Sequence, residues 1–288
     1  MEFNTDAAIR MLTMASLSGL LFAVGLRLTW DQIMVSLRRG RLGWILPVNF
    51  ILAPVLTLAA AHLFQVPTTI AIGMLCLAAA PFAPVVPIFT KMARGDLALA
   101  GILTALFPFF SAFLTPVVCE LGLKFLLGTS ALKFNVLANL LVLVSTITLP
   151  LAAGLAFGHY LPALGRKLLR PFEIISEATG AVSLTFVTVV EFKHILSTGW
   201  IPLLAMTLVS ELLLVAGYVL SGPTSAARRA VALGTSNRNI ALALLVALES
   251  FPGTPIIAAV VANGLLLIFL GLLHVAFWRF CSSDRSNA

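Results

Sequence analysis

Long apolar runs divide this sequence from end to end. Nine follow one another, at about 11–28, 42–64, 68–91, 97–125, 135–158, 172–192, 199–221, 225–249 and 254–280 of the 288 residues. Each is near or above the roughly 20 residues that an α-helix needs to cross about 30 Å of hydrocarbon. Such a run in lipid must satisfy its own backbone hydrogen bonds, which selects helix. The ten-residue alternation of an outer-membrane barrel is absent. Composition agrees: 60% of the residues are hydrophobic and 10% charged, too few polar groups to cover a water-soluble core. The expected fold is an all-α polytopic membrane protein with nine transmembrane helices. The first run is read as a span and not a cleaved leader, because Glu2 and Asp6 flank it with Arg10 as its base.

The net charge of +7 is a topology signal. Alternate loops hold the basic residues: Arg27, Arg38, Arg39 and Arg41; Lys91 and Arg94; Arg166, Lys167 and Arg170; Arg228 and Arg229; and Arg279 and Arg285 in the tail. The intervening loops hold only Lys124, Lys133 and Lys193. By the positive-inside rule the N-terminus is outside and the C-terminus cytoplasmic, as in a bacterial inner membrane. The lipid bilayer is the partner, and no basic cluster suits nucleic acid. Cys76, Cys119 and Cys281 lie far apart, with no metal-ligand spacing, so neither a metal nor a resident cofactor is expected. No HExxH, GxSxG or intramembrane Asp pair occurs, so an enzyme is not expected.

Two of the nine runs cannot be regular helices. The third holds Pro81, Pro84 and Pro87, each lacking an amide donor and clashing with the carbonyl four residues back. The eighth holds Gly234-Thr235-Ser236-Asn237-Arg238-Asn239 in mid-span, where polar groups are expensive against lipid. The two runs lie five crossings apart, so they traverse the bilayer in opposite directions. Broken helices at corresponding places of two inverted halves point to an inverted-repeat transporter with its site at the breaks. Two unrelated kinks are the plainer alternative.

At this point the chain resembles the bile acid:sodium symporter family. The stretches that carry the likeness are Phe22-Ala23-Val24-Gly25-Leu26-Arg27-Leu28, Pro47-Val48-Asn49-Phe50-Ile51-Leu52-Ala53-Pro54, Lys91-Met92-Ala93-Arg94-Gly95-Asp96-Leu97-Ala98-Leu99 and Leu114-Thr115-Pro116. The resemblance implies an inverted-repeat carrier for organic anions, driven by sodium. It implies a core domain at about 42–125 and 199–280, a panel domain at about 11–28 and 135–192, and a member with nine helices. The chain departs from the family at the sodium ligands. Val86-Pro87 stand for a Ser-Asn pair, Gly234 for a Glu that touches both ions, Arg238 for a Gln, Asn49 for a Gln and Ala100 for a Ser, while Thr104 matches.

Arg238 is therefore the sharpest candidate: a fixed cation in place of a sodium ion, its planar fork suited to a carboxylate or sulfonate. Asn239, Asn237, Ser236, Thr235, Pro84, Pro87 and Asn263 join it as candidate substrate-binding residues. Glu211 and Glu177, within spans, and Asn49 and Thr104 are candidates for ion coupling, with sodium or a proton as the coupling ion. Glu211 is also the expected partner if Arg238 is a structural ion pair, and Glu177 could pair instead with Arg170 or Lys167. Glu120, Glu173, Glu191 and Glu249 fall at span ends and are read as solvated, and His274 as packing. The expected function is secondary transport of a small or amphipathic organic anion with weak or no sodium dependence. The alternatives are a proton- or sodium-coupled antiporter of the same fold and a sensor that no longer transports, although the short ends leave no room for a signalling domain. The residues leave the oligomeric state open.

Overall fold

The computed structural model describes residues 4–29, 42–128 and 134–283, with side chains to residue 280. Arg38, Arg39, Arg41, Lys133, Arg285 and the Cys281 side chain, which entered the topology and cysteine readings, lie outside the described residues. The helices are α1 (Thr5–Arg27), α2 (Leu42–Leu63), α3 (Thr68–Ala78), α4 (Val86–Met92), α5 (Leu97–Leu127), α6 (Val136–Tyr160), α7 (Pro162–Val190), α8 (Phe192–Leu196), α9 (Trp200–Leu220), α10 (Ser225–Ser236), α11 (Ile240–Ser250) and α12 (Ile256–Ser283). Among the described residues there is no strand. Seven helices, α1, α2, α5, α6, α7, α9 and α12, are long and apolar enough to cross a membrane. The third and eighth apolar runs are each two short helices, α3 with α4 and α10 with α11.

Local chemistry explains where these helices start. Asn4, Asp96, Asn135, Thr224 and Asn239 each cap one by accepting a hydrogen bond from the amide three residues on. In the Ala93-Arg94-Gly95-Asp96 turn Arg94 takes φ 54° and Asp96 caps α5, so this family-like stretch is the hinge that sends α4 into α5. α7 begins ten residues before the apolar run that marked it, because Pro162 is pre-set for a first helical turn. Arg166, Lys167 and Arg170 therefore lie within α7 and not in a loop.

Two helices widen for one turn. α2 is a π-helix over Val48–Leu52 and α6 over Val144–Thr148. Each turn is followed by a proline, Pro54 and Pro150. A proline has no amide to offer the preceding turn and its ring crowds the carbonyl there, and a widened turn relieves that crowding.

α1 packs along α6 and α7 through small and hydroxylic residues. A Cβ at Gly154 would meet the Phe22 carbonyl, so only glycine allows this approach. Thr13 Oγ1 lies 2.8 Å from Ser183 Oγ, and Ser16 Oγ donates to the Ser176 carbonyl at 2.8 Å. Elsewhere α9 packs on α10, and α12 on α3, α9 and α11.

Candidate functional site

The two breaks meet. Pro81 and Arg238 form an antiparallel bridge, the Asn239 amide donates to the Ala80 carbonyl at 2.7 Å, and the Ala83 amide donates to the Asn237 carbonyl at 3.2 Å. Backbone groups freed by breaking a buried helix must find partners, and here each break supplies them to the other. The accounting along the first break is complete for three successive carbonyls. Ala78 accepts from Arg238 Nη1 at 3.3 Å, Ala79 from Thr115 Oγ1 at 2.6 Å, and Ala80 from the Asn239 amide.

Arg238 is 3% exposed. Its Nη1 also lies 3.5 Å from the Asn49 carbonyl. That oxygen is available because of the π-turn in α2. Val48 pairs with the amide five residues on, Ala53, and the corresponding partner for Asn49 would be Pro54, which has no N–H. The guanidinium thus sits among backbone oxygens that two prolines and a helix end have released. Nε and Nη2 have no hydrogen-bond partner among the described residues.

Phe82 fills the neighbouring space. It takes φ 59°, a conformation that strains a bulky residue, and is fully buried. Its ring stacks on Phe107 at 4.2 Å between centroids, and Phe107 stacks on Phe50 at 5.9 Å. A Cβ at Gly234 would collide with the Phe82 ring, so position 234 has no room for a carboxylate side chain. Sodium requires several oxygen donors in place of its hydration shell, by the logic of other hard cations. At the crossed breaks Val86, Pro87 and Gly234 offer no side-chain oxygen, and two carbonyls already accept from a guanidinium. These three positions therefore lend no side chain to a cation. Asn49 Oδ1 and Thr104 Oγ1 remain buried without partners among the described residues.

A cavity of about 390 Å³ opens beside the breaks. Pro84, Asn237, Arg238 and Asn239 form one wall, and Thr13, Ser16 and Glu177 of α1 and α7 stand in the opposite one. Asn237 Nδ2 donates to the Leu233 carbonyl at 3.0 Å, and Asn239 Oδ1 accepts from the Leu242 amide at 3.1 Å, so both asparagines also hold the ends of their half-helices. Ser236 and Asn263 are not on this cavity. With Arg238 they line a separate pocket of about 20 Å³. Thr235 is buried behind the break, its Oγ1 3.4 Å from Asn49 Nδ2. Pro87 lies in the first turn of α4 and lines neither space.

The carboxylates are arranged differently from the sequence expectation. Glu211 is not paired with Arg238; its Oε2 lies 3.0 Å from His274 Nε2 on α12. Glu173, read as solvated, is buried and ion-paired with Arg27, with Arg170 3.9 Å away. Arg170 is thereby directed to Glu173, and Glu177 keeps no ion pair among the described residues while facing the cavity. Residue-by-residue reading missed Thr13 and Ser16 on the cavity wall and Thr57 and Ser210 at the small pocket. The spacing of Thr13 and Ser16, three apart on one helix face, was the available signal.

An all-helical chain with membrane-length helices, and two interrupted ones meeting beside a cavity, has the construction of a membrane carrier. The family model described as "Sodium Bile acid symporter family" matches residues 14–198, and the chain belongs to that family. It is an integral membrane protein of a transporter family. Two similar curated proteins are "Probable sodium/metabolite cotransporter BASS6, chloroplastic" of Arabidopsis thaliana, 25% identical over 94% of this chain and 68% of that one, and "Probable sodium/metabolite cotransporter BASS1, chloroplastic" of Oryza sativa subsp. japonica, 26% identical over 92% of this chain and 66% of that one. The chain thus spans about two thirds of the length of these relatives. Sodium is the coupling ion that the family name and both relatives' names suggest.

Proposed function

We propose that the protein is a secondary transporter for a small organic anion, carboxylate or sulfonate, in which the Arg238 guanidinium takes the place of coupling sodium. Nine crossings form by counting α3 with α4 and α10 with α11 as one each, and the two breaks are corresponding elements of an inverted repeat. α1, α6 and α7 act as the panel and the remaining long helices and half-helices as the core. The anion enters the cavity between them and meets the N-terminus of α11, where Asn239 and the free amides favour negative charge, with Arg238 behind it. The membrane is a bacterial inner membrane, with the C-terminus cytoplasmic.

One observation supports this reading above the rest. The guanidinium is buried at the crossed breaks among released carbonyls, where an exchangeable cation would otherwise find its oxygens. A permanent cation needs no ion gradient to fill its site. Purified protein in liposomes should therefore take up a suitable carboxylate at similar rates in sodium and in choline. A rate that falls tenfold or more in choline sinks the sodium-free reading. Arg238→Gln should lower uptake at least about tenfold, since a hydrogen bond to a charged group contributes about 1.5–3 kcal/mol and 1.4 kcal/mol is tenfold. Normal uptake by a folded Arg238→Gln protein would remove Arg238 from substrate binding.

A proton-coupled reading has one observation in its favour: Glu177 is an acidic side chain on the same cavity with no ion pair among the described residues. Uptake that collapses with the pH gradient and is independent of that gradient in Glu177→Gln would support it.

A further inference from the structure

The small pocket beside Arg238 has the features of a binding site for something other than the transported anion. It lies between α2, α3, α9, α10 and α12 and holds about 20 Å³, room for one water-sized or halide-sized occupant. Its polar lining comes from Arg238, Thr57, Ser210, Ser236 and Asn263, all 7% exposed or less. Thr57 Oγ1 is committed as a donor to the Ala53 carbonyl and Ser236 Oγ to the Leu233 carbonyl. Ser210 and Asn263 complete the polar lining, and the guanidinium Nε and Nη2 have no hydrogen-bond partner among the described residues.

Charge chooses between occupants. Burying a cation without a countercharge is strongly unfavourable, and among the described residues no carboxylate comes within ion-pair distance of Arg238. The Ala78 and Asn49 carbonyls supply only partial charge, and both face Nη1. A water would satisfy hydrogen bonds and leave the charge unbalanced. A monoatomic anion does both, and a lining that combines the Arg238 guanidinium with a hydroxyl and an amide suits one. Sulfate or a carboxylate would not fit the volume.

We infer that this pocket is a halide site, with chloride as the ordinary occupant and Arg238, Ser210 and Asn263 as its donors. The assignment rests on the charge and geometry of the pocket and not on the transport reading. One guanidinium then lies between two anion sites, the halide pocket and the large cavity, so the two anions weaken each other's binding.

The test uses the purified full-length protein in detergent. Chloride replaces gluconate at constant sodium and ionic strength, and thermal unfolding is followed. The melting midpoint should rise with chloride, on the order of 2–3 °C for each tenfold increase above the dissociation constant. Crystals soaked in sodium bromide should show an anomalous peak between Arg238, Ser210 and Asn263. Ser210→Val, which fills the pocket and removes a donor, should abolish the chloride response. Should that variant not fold, Ser210→Ala should shift the response to higher chloride. A wild-type midpoint indifferent to chloride, or bromide peaks confined to the surface (an adventitious ion only), overturns the assignment. In liposomes, chloride should also slow uptake of a carboxylate at subsaturating concentration. Uptake indifferent to chloride, with the melting response intact, leaves the halide site standing and overturns the role of Arg238 in holding the transported anion.

Discussion

Gly234 and Phe82 compete for one space, and phenylalanine has it. The ring that a Cβ at 234 would strike also anchors the Phe82–Phe107–Phe50 stack. Gly234→Ala should therefore cost about 1–3 kcal/mol, the usual penalty for overpacking, measured by denaturant unfolding in detergent. In a Phe82→Leu background the same change should cost less, with a coupling of at least about 0.5 kcal/mol between the two positions. Equal cost in both backgrounds would mean that the collision is relieved elsewhere. Restoring an acidic ligand at 234 consequently needs Phe82 changed as well, so the absence of that ligand is built into packing and is more than a single substitution. The same scale separates the two intramembrane charges. Arg238 is held by main-chain oxygens, whereas Glu211 lies within hydrogen-bond distance of a histidine on α12.

At the level of elements, prolines do two kinds of work. Pro81, Pro84 and Pro87 forbid a continuous helix, and that was legible in the sequence, as was the polar interruption at 234–239. The mutual hydrogen bonding of the breaks was not legible, because it depends on two segments more than 150 residues apart in the chain and leaves no local pattern. Pro54 was visible only as part of a family-like stretch. Its function emerges from the π-turn it induces, which releases the Asn49 carbonyl toward Arg238. Position 274 shows the converse limit. A lone histidine in an apolar run reads as packing, and only the neighbouring helix reveals that it faces Glu211. Pro54→Ala offers a test of the element. Restoring the amide lets α2 return to regular α-helical bonding, which withdraws the Asn49 oxygen from the guanidinium. Carboxylate uptake should fall severalfold while thermal stability holds or rises, because a regular helix interior favours Ala over Pro by about 3 kcal/mol. Unchanged uptake in Pro54→Ala would show that Ala78 alone orients Arg238.

For the whole molecule, the distribution of contacts suggests which parts move together. α1, α6 and α7 hold one another through glycine-mediated approach and hydroxyl pairs, contacts that do not slide without losing hydrogen bonds. Across the cavity the facing surfaces are largely apolar, with Leu184 of α7 on one side and Ala241 of α11 on the other. Apolar surfaces are non-directional and separate there at little cost in specific bonds, whereas the Arg10–Glu249 ion pair and the Asn139–Ser250 hydrogen bond tie the same two units together at the far end of α11. Alternating access by rocking one unit against the other would then open along this seam. A short bifunctional thiol reagent tests it in a Cys281→Ser background, since Cys76 and Cys119 are buried. Linking Leu184→Cys to Ala241→Cys should stop carboxylate uptake, with recovery on cleavage of the link. Linking Phe22→Cys to Phe157→Cys, which join α1 to α6 on a single unit, should leave uptake intact. Transport that survives the first link would place the moving seam elsewhere. Transport lost with the second would mean that α1 shifts against α6 despite Gly154, and the division into panel and core would have to be redrawn through the α1 packing.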